Sequence, residues 1–136
     1  MIFFHGVPLE CINQAALHHH VPATMIVSVM QIENGRNGDA IHNKNGTHDL
    51  GVMQINTSWL PRLQKYSISK ESLKNDACLN VDVGAWILAQ SIARSEGWKG
   101  VGNYHSATPK YNVVYSQKVK RKYDATLNLI AGNNHA

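Results

Sequence analysis

Apolar residues recur along this chain at helical spacing, in blocks separated by proline, glycine and asparagine. After Pro8, the residues Leu9, Ile12 and Ala15/Ala16 share one stripe, which predicts a short helix over 8–20 with proline at its start. Val21-Pro22 interrupts it. A second helix over 22–33 is unusually apolar through Met25, Ile26, Val29, Met30 and Ile32, and Asn34-Gly35 stops it. From Arg36 to Thr47 the chain turns to Asn, Gly, Asp and Lys, the residues of loops and turns. Within that stretch Asn45-Gly46 predicts a tight hairpin turn.

Past the run Gly51–Asn56, Thr57 or Ser58 can cap a short helix toward Tyr66, and Ser69 or Ser72 opens a brief polar element. Asn75 or Asp76 then caps a long helix to about Glu96, with Val81, Ala85, Ile87, Leu88 and Ile92 inward and Gly97 as its end. Residues 98–105 form a short glycine-interrupted piece. Thr108-Pro109 opens a last helix whose apolar positions are Val113/Val114, Val119, Tyr123, Leu127 and Ile130, until Gly132. No repeat, linker or low-complexity tract appears. The pattern predicts one mainly α domain over 1–136, with an irregular segment or small hairpin at about 36–56.

Composition narrows the class. With 43% hydrophobic and 16% charged residues among 136, the chain is neither disordered nor fibrous. No apolar run approaches the roughly 20 residues that span a bilayer. Met1-Ile2-Phe3-Phe4 is too short for a signal-peptide core, so the leader of an exported protein would be missing from this chain. The net charge of +4 is unevenly spread. Arg94, Lys99, Lys110, Lys118, Lys120, Arg121 and Lys122 face only Glu96 and Asp124 in the last third. Such a patch suits an anionic partner, and a solvated helix face fits it equally. Nucleic acid is disfavoured, because no basic recognition helix or aromatic RNA-binding motif accompanies the charge. Cys11 and Cys78 are the two cysteines, and the residue pattern alone leaves free thiols and a disulfide both open.

Among the ionisable residues, Glu33 carries the strongest chemical signal. Steps of three and four residues back from it reach Met30, Val29 and Ile26, so its carboxylate shares the apolar face of its helix. It also lies in the last turn, where the helix dipole disfavours an anion. Both effects push its pKa up, as a general acid near neutral pH requires. An exposed helix-end glutamate is the competing reading, since helix ends fray. Asp49 is a second carboxylate in a polar segment, and a buried acid beside a solvated carboxylate suits glycoside chemistry. On spacing alone, a turn-forming role for Asp49 is the simpler reading.

Other chemistries find less support. His18-His19-His20 suggest a metal, but three successive helical residues point in three directions, and no HExxH or paired Cys/His spacing exists. No GxSxG elbow and no phosphate-binding glycine loop is present. The reading therefore invokes neither metal nor cofactor. Tyr104-His105-Ser106 lies in a loop-like stretch where aromatic and hydroxyl groups could line a groove.

Taken in order, Gln31-Ile32-Glu33, the polar loop, the run Asn45-Gly46-Thr47-His48-Asp49-Leu50-Gly51-Val52-Met53-Gln54-Ile55-Asn56, and Tyr104-His105-Ser106 resemble lytic transglycosylases of the lysozyme superfamily. The likeness is to the small specialised enzymes that accompany secretion, conjugation and pilus systems, and it covers roughly residues 8 to 123. It implies an α+β lysozyme-like fold and a periplasmic or exported enzyme acting on peptidoglycan glycan strands, with secretion, conjugation or pilus components as further partners. By position, Glu33 would be the catalytic acid/base. Gly51, Met53, Gln54 and Asn56 would shape the floor of the sugar groove. Tyr104 would help position Glu33 and substrate, and Tyr115 matches the tyrosine of a terminal Y-x-x-x-V pattern. Cys11 and Cys78 match positions where exported members carry a disulfide.

Two departures stand out. Asn34 follows the glutamate where many members have serine. The segment around Asp49 also resembles that of animal c-type lysozymes, with Asp49 at the place of their second carboxylate. The implied reaction is cleavage of the β-1,4 bond between N-acetylmuramic acid and N-acetylglucosamine to a 1,6-anhydro product. A hydrolytic muramidase using Asp49 and a non-catalytic wall-binding module are its rivals.

Overall fold

A computed structural model describes residues 2–134. The chain opens on a hairpin of two-residue strands, β1 (Phe3–Phe4) and β2 (Val7–Pro8), in antiparallel register with Phe4 opposite Val7. His5 and Gly6 turn between them with φ of 51° and 76°, the left-handed pair of a tight hairpin turn. Strands this short leave no periodic signal, and sequence reasoning missed them.

Helices α1 (Leu9–His19) and α2 (Ala23–Glu33) follow, each led in by a proline whose fixed φ suits a helix start. Both end on a left-handed residue. His20 closes α1 at φ 57°, and Asn34 closes α2 at φ 51° with its N–H on the Met30 carbonyl at 2.9 Å. Asn34 is thus the helix stop that its side chain, tolerant of left-handed backbone, makes inexpensive.

The irregular segment is a three-stranded antiparallel sheet in the order β3 (Ala40–His42), β4 (His48–Leu50), β5 (Ile55–Asn56). Its first hairpin is there as expected, but the turn sits one residue earlier than Asn45-Gly46. The Gly46 N–H bonds the Asn43 carbonyl at 3.0 Å, which makes Lys44-Asn45 the turn's centre. Gly46 follows in the left-handed region at φ 87°.

Residues 57–66 are a chain of short helical turns around α3 (Leu60–Leu63), started by Asn56, whose side chain accepts the Ser58 N–H. Both candidate serines act in α4 (Lys70–Asn75), as Ser69 and Ser72 cap one another reciprocally. Asp76 caps α5 (Ala77–Arg94) through the Leu79 N–H at 3.0 Å. Gly97, expected as the end of that helix, instead begins α6 (Gly97–Gly102), because α5 already breaks at the extended Ser95. Finally α7 (Pro109–Asn134) runs back over α2 and α6.

The core lies where α1, α2 and α5 meet the loop and strand residues 50–55. Ile12, Ile26, Met30, Leu50, Met53 and Leu88 are all fully enclosed there. A Cys11–Cys78 disulfide joins α1 to the start of α5, with Cα atoms 5.5 Å apart. On α7 the inward face is Asn112, Tyr115, Ser116 and Val119, at positions i, i+3, i+4 and i+7. Val113 and Val114, read as apolar-face residues, lie off that stripe, and they and Leu127 are exposed; the side chain of Ile130 lies outside the described residues. The architecture is mainly α with small antiparallel sheets, an α+β lysozyme-like fold. Among the described residues, no helix is long and apolar enough to cross a membrane.

Candidate active site

Glu33 is the last residue of α2 and stands between two clefts. The more polar one, about 480 Å³, is lined also by Thr47, Asp49, Gln54, Asn56, Trp59 and Tyr104. The other, about 500 Å³, lies between the end of α2 and α7 and includes Lys110, Tyr111, Tyr115 and Lys118. His105 lines both.

The backbone after Glu33 is pinned by close approach. Gly35 is buried against the loop 51–54, and a Cβ there would collide with the carbonyls of Gly51 and Val52 and with the Gln54 amide. Gly51 itself holds φ 68°, and a Cβ on it would strike the Asn80 side chain. Helix end and loop therefore fix one another.

Asn80, fully buried on α5, organises that loop. Its carbonyl accepts the Met53 N–H at 2.8 Å, while its amide donates to the carbonyls of Leu50 and Leu73, each at 2.9 Å. From the other side the Tyr104 hydroxyl donates to the Met53 carbonyl at 2.8 Å. Met53 and Gly51 thus lie beneath the groove as its support, while Gln54 and Asn56 face it. Gln54 keeps its left-handed φ of 52° with its side-chain amide on the Gly51 carbonyl at 2.9 Å.

Asp49 and Asn56 are cross-strand partners on β4 and β5. The Asn56 amide donates to Asp49 at 3.0 Å and to the Thr47 hydroxyl at 2.9 Å. Asp49 is therefore already engaged by its own sheet. It remains close enough for its charge to raise the pKa of Glu33.

Burial is the main influence on Glu33, lifting its carboxyl to a pKa of about 7. The Tyr115 hydroxyl pulls the other way and the Asp49 charge adds to the rise. That hydroxyl is buried beside the carboxyl but outside ordinary hydrogen-bond geometry. Burial and the Glu33 charge hold the phenols of Tyr104 and Tyr115 well above the usual tyrosine range, so both stay neutral donors. The ring of Tyr115 stacks on His105 with centroids 4.8 Å apart and planes 5° from parallel.

A second buried amide places the loop that carries Tyr104 and His105. The Asn112 amide nitrogen of α7 shares its two hydrogens among the Lys99 carbonyl at 3.0 Å, the Asn103 side-chain oxygen at 2.7 Å and the Ser106 carbonyl at 3.1 Å. Sequence reasoning missed Asn80 and Asn112. The signal available was an asparagine inside an apolar helical run, as in Leu79-Asn80-Val81, where its poor helix propensity calls for a compensating role.

The arrangement offers one carboxyl poised near neutral pH, open to a polar groove on one side and a more apolar cleft on the other, with the neutral hydroxyls of Tyr104 and Tyr115 close by. It can give a proton and take one back.

The Transglycosylase SLT domain family profile matches residues 10–128. The chain is 34% identical over 120 residues to Invasion protein IagB of Salmonella typhimurium, covering 84% of this chain and 75% of that protein. It is 30% identical over 120 residues to Protein IpgF of Shigella flexneri, covering 84% and 79% respectively. To the X polypeptide of Escherichia coli it is 25% identical over 133 residues, covering 90% and 79%.

Proposed function

This chain belongs to the transglycosylase SLT family, a lytic transglycosylase acting on peptidoglycan, and from that premise we propose that Glu33 is its single acid/base. The bond cut is the β-1,4 link between N-acetylmuramic acid and N-acetylglucosamine. The observation that carries the reading is a carboxyl with pKa about 7 at the junction of two grooves.

Protonated Glu33 gives its proton to the leaving glycosidic oxygen as the C1–O bond breaks. The substrate's own acetamido carbonyl stabilises the oxocarbenium-like C1. Glu33, now a carboxylate, removes the proton from the muramyl C6 hydroxyl. That oxygen closes on C1 to form the 1,6-anhydro ring, and Glu33 ends protonated as it began. No water is consumed and no second carboxylate is needed, in contrast to hydrolytic glycosidases.

Asp49 on this reading braces the sheet through Asn56 and raises the pKa of Glu33. Gln54 and Asn56 line the groove that would take the sugar, and Tyr104 and Tyr115 keep the carboxyl's surroundings fixed. Lys110 and Lys118 place part of the basic C-terminal third in the cleft beside Glu33, where they would hold the peptide carboxylates of the wall. Disulfides persist in oxidising compartments, which fits a periplasmic or exported enzyme. Similarity to a protein named for invasion fits the opening of the wall for a secretion or conjugation apparatus.

Glu33→Gln keeps the shape and removes the acid. Lysis of purified cell walls, followed by turbidity, should fall at least about 100-fold, the low end of a general-acid contribution. Near-normal lysis by a folded Glu33→Gln protein would sink the assignment.

A further inference from the structure

Away from Glu33, two of the three successive histidines meet a carboxylate from another helix. His18 and His19 end α1, and Asp82 lies on α5. Nδ1 of His18 is 3.2 Å, and Nε2 of His19 3.0 Å, from the same Asp82 oxygen. Neighbouring helical residues point about 100° apart. They converge here because one uses the nitrogen near its backbone and the other the nitrogen at the ring's far tip. The three donor atoms lie within 4.8 Å of one another. His20, turned left-handed as the helix stop, is not among them.

We propose that His18, His19 and Asp82 form a binding site for a zinc-type divalent ion that clasps α1 to α5. Two imidazoles and one carboxylate select zinc and its neighbours over magnesium or calcium, which prefer all-oxygen shells. Bonds of about 2.0–2.1 Å to a tetrahedral ion set donor atoms roughly 3.3 Å apart. The two nitrogen-to-oxygen separations already approach that spacing. The same two helices are joined by Cys11–Cys78, so the backbones that carry the ligands are tied together before the ion arrives. The cluster borders a cleft of about 390 Å³ walled by Leu63, Tyr66, Ile68, Val83 and Trp86. Its apolar wall strengthens charge–ligand attraction, and its opening leaves room for a water as fourth ligand.

The test is calorimetric titration of the oxidised protein with zinc chloride in chelator-free buffer, paired with thermal melts. The expected result is one zinc ion per chain and a higher melting temperature with zinc. Asp82→Asn and His19→Ala should each weaken binding by more than the roughly 10–100-fold that loss of an outer-shell partner costs. The most exposed ligand is His18, so His18→Ala keeps the test decisive if either of those variants fails to fold. His42→Ala should bind zinc as the parent does, although His42 and His48 form a second close pair at 3.4 Å. Absence of stoichiometric binding, or binding lost with His42 and retained in the folded cluster variants, would overturn the site.

Discussion

Asn80 accepts the Met53 N–H at 2.8 Å, and Tyr104 grips the carbonyl of the same residue at 2.8 Å. One peptide-bearing residue is thus held on both sides, by α5 and by the loop after α6. The loop it belongs to is the surface on which Gly35 packs, so the carboxyl of Glu33 inherits its position from that grip.

Asn80→Leu therefore leaves the Met53 N–H and the Leu50 and Leu73 carbonyls without their partner. At about 1 kcal/mol for each lost bond, stability should fall by about 3 kcal/mol. Urea denaturation measures this as a lower midpoint. Wall lysis by the folded fraction should fall too, because the support of the groove loosens.

Much of the fold was legible because its helices carry their own punctuation. Pro8, Pro22 and Pro109 start helices, Asn34 stops one, and Ser69 and Asp76 cap as their side chains allow. Glu33 was legible for the same reason, since an acid continuing the stripe of Met30 and Ile26 must lie against apolar neighbours. What escaped was tertiary. The stripe of α7 could not be phased from Val113 and Val114, because the helix faces inward through the polar Asn112 and Ser116. The meeting of His18 and His19 depends on Asp82, some sixty residues away on another helix. The locked state of Asp49 likewise depends on a cross-strand partner, Asn56.

The raised pKa of Glu33 couples activity and stability to pH in the same direction. Between the ordinary value of 4.5 and about 7, the folded protein holds a proton that the unfolded chain releases. Stability conferred by the protonated form is present in full below 4.5 and is lost as pH rises through about 7. Glu33→Gln, which cannot ionise, should melt higher than the parent at pH 8, with the gap closing by pH about 4. Parental lysis should decline above pH 7 as the acid form is lost. Parallel thermal melts across this range check the sign.

Opening the Cys11–Cys78 bridge releases a loop of 67 residues in the unfolded chain. Chain entropy sets the expected loss for a Cys11→Ser/Cys78→Ser protein at about 4 kcal/mol. Chemical denaturation of that variant against the oxidised parent measures it. Two titratable thiols in the denatured, non-reduced parent would contradict the bridge.

On the proposed mechanism Glu33 works without a catalytic partner carboxylate, and the products of wall digestion distinguish this from hydrolysis. Mass spectrometry of muropeptides released from purified walls separates a 1,6-anhydro end from a reducing end, which is heavier by one water. The parent should release mainly 1,6-anhydro muropeptides. Asp49→Asn should give the same product at a rate reduced less than in Glu33→Gln, since Asp49 acts through the Asn56 contact and its charge. Mainly reducing-end muropeptides from the parent, abolished in Asp49→Asn, would contradict the proposed mechanism and make Asp49 a catalytic carboxylate.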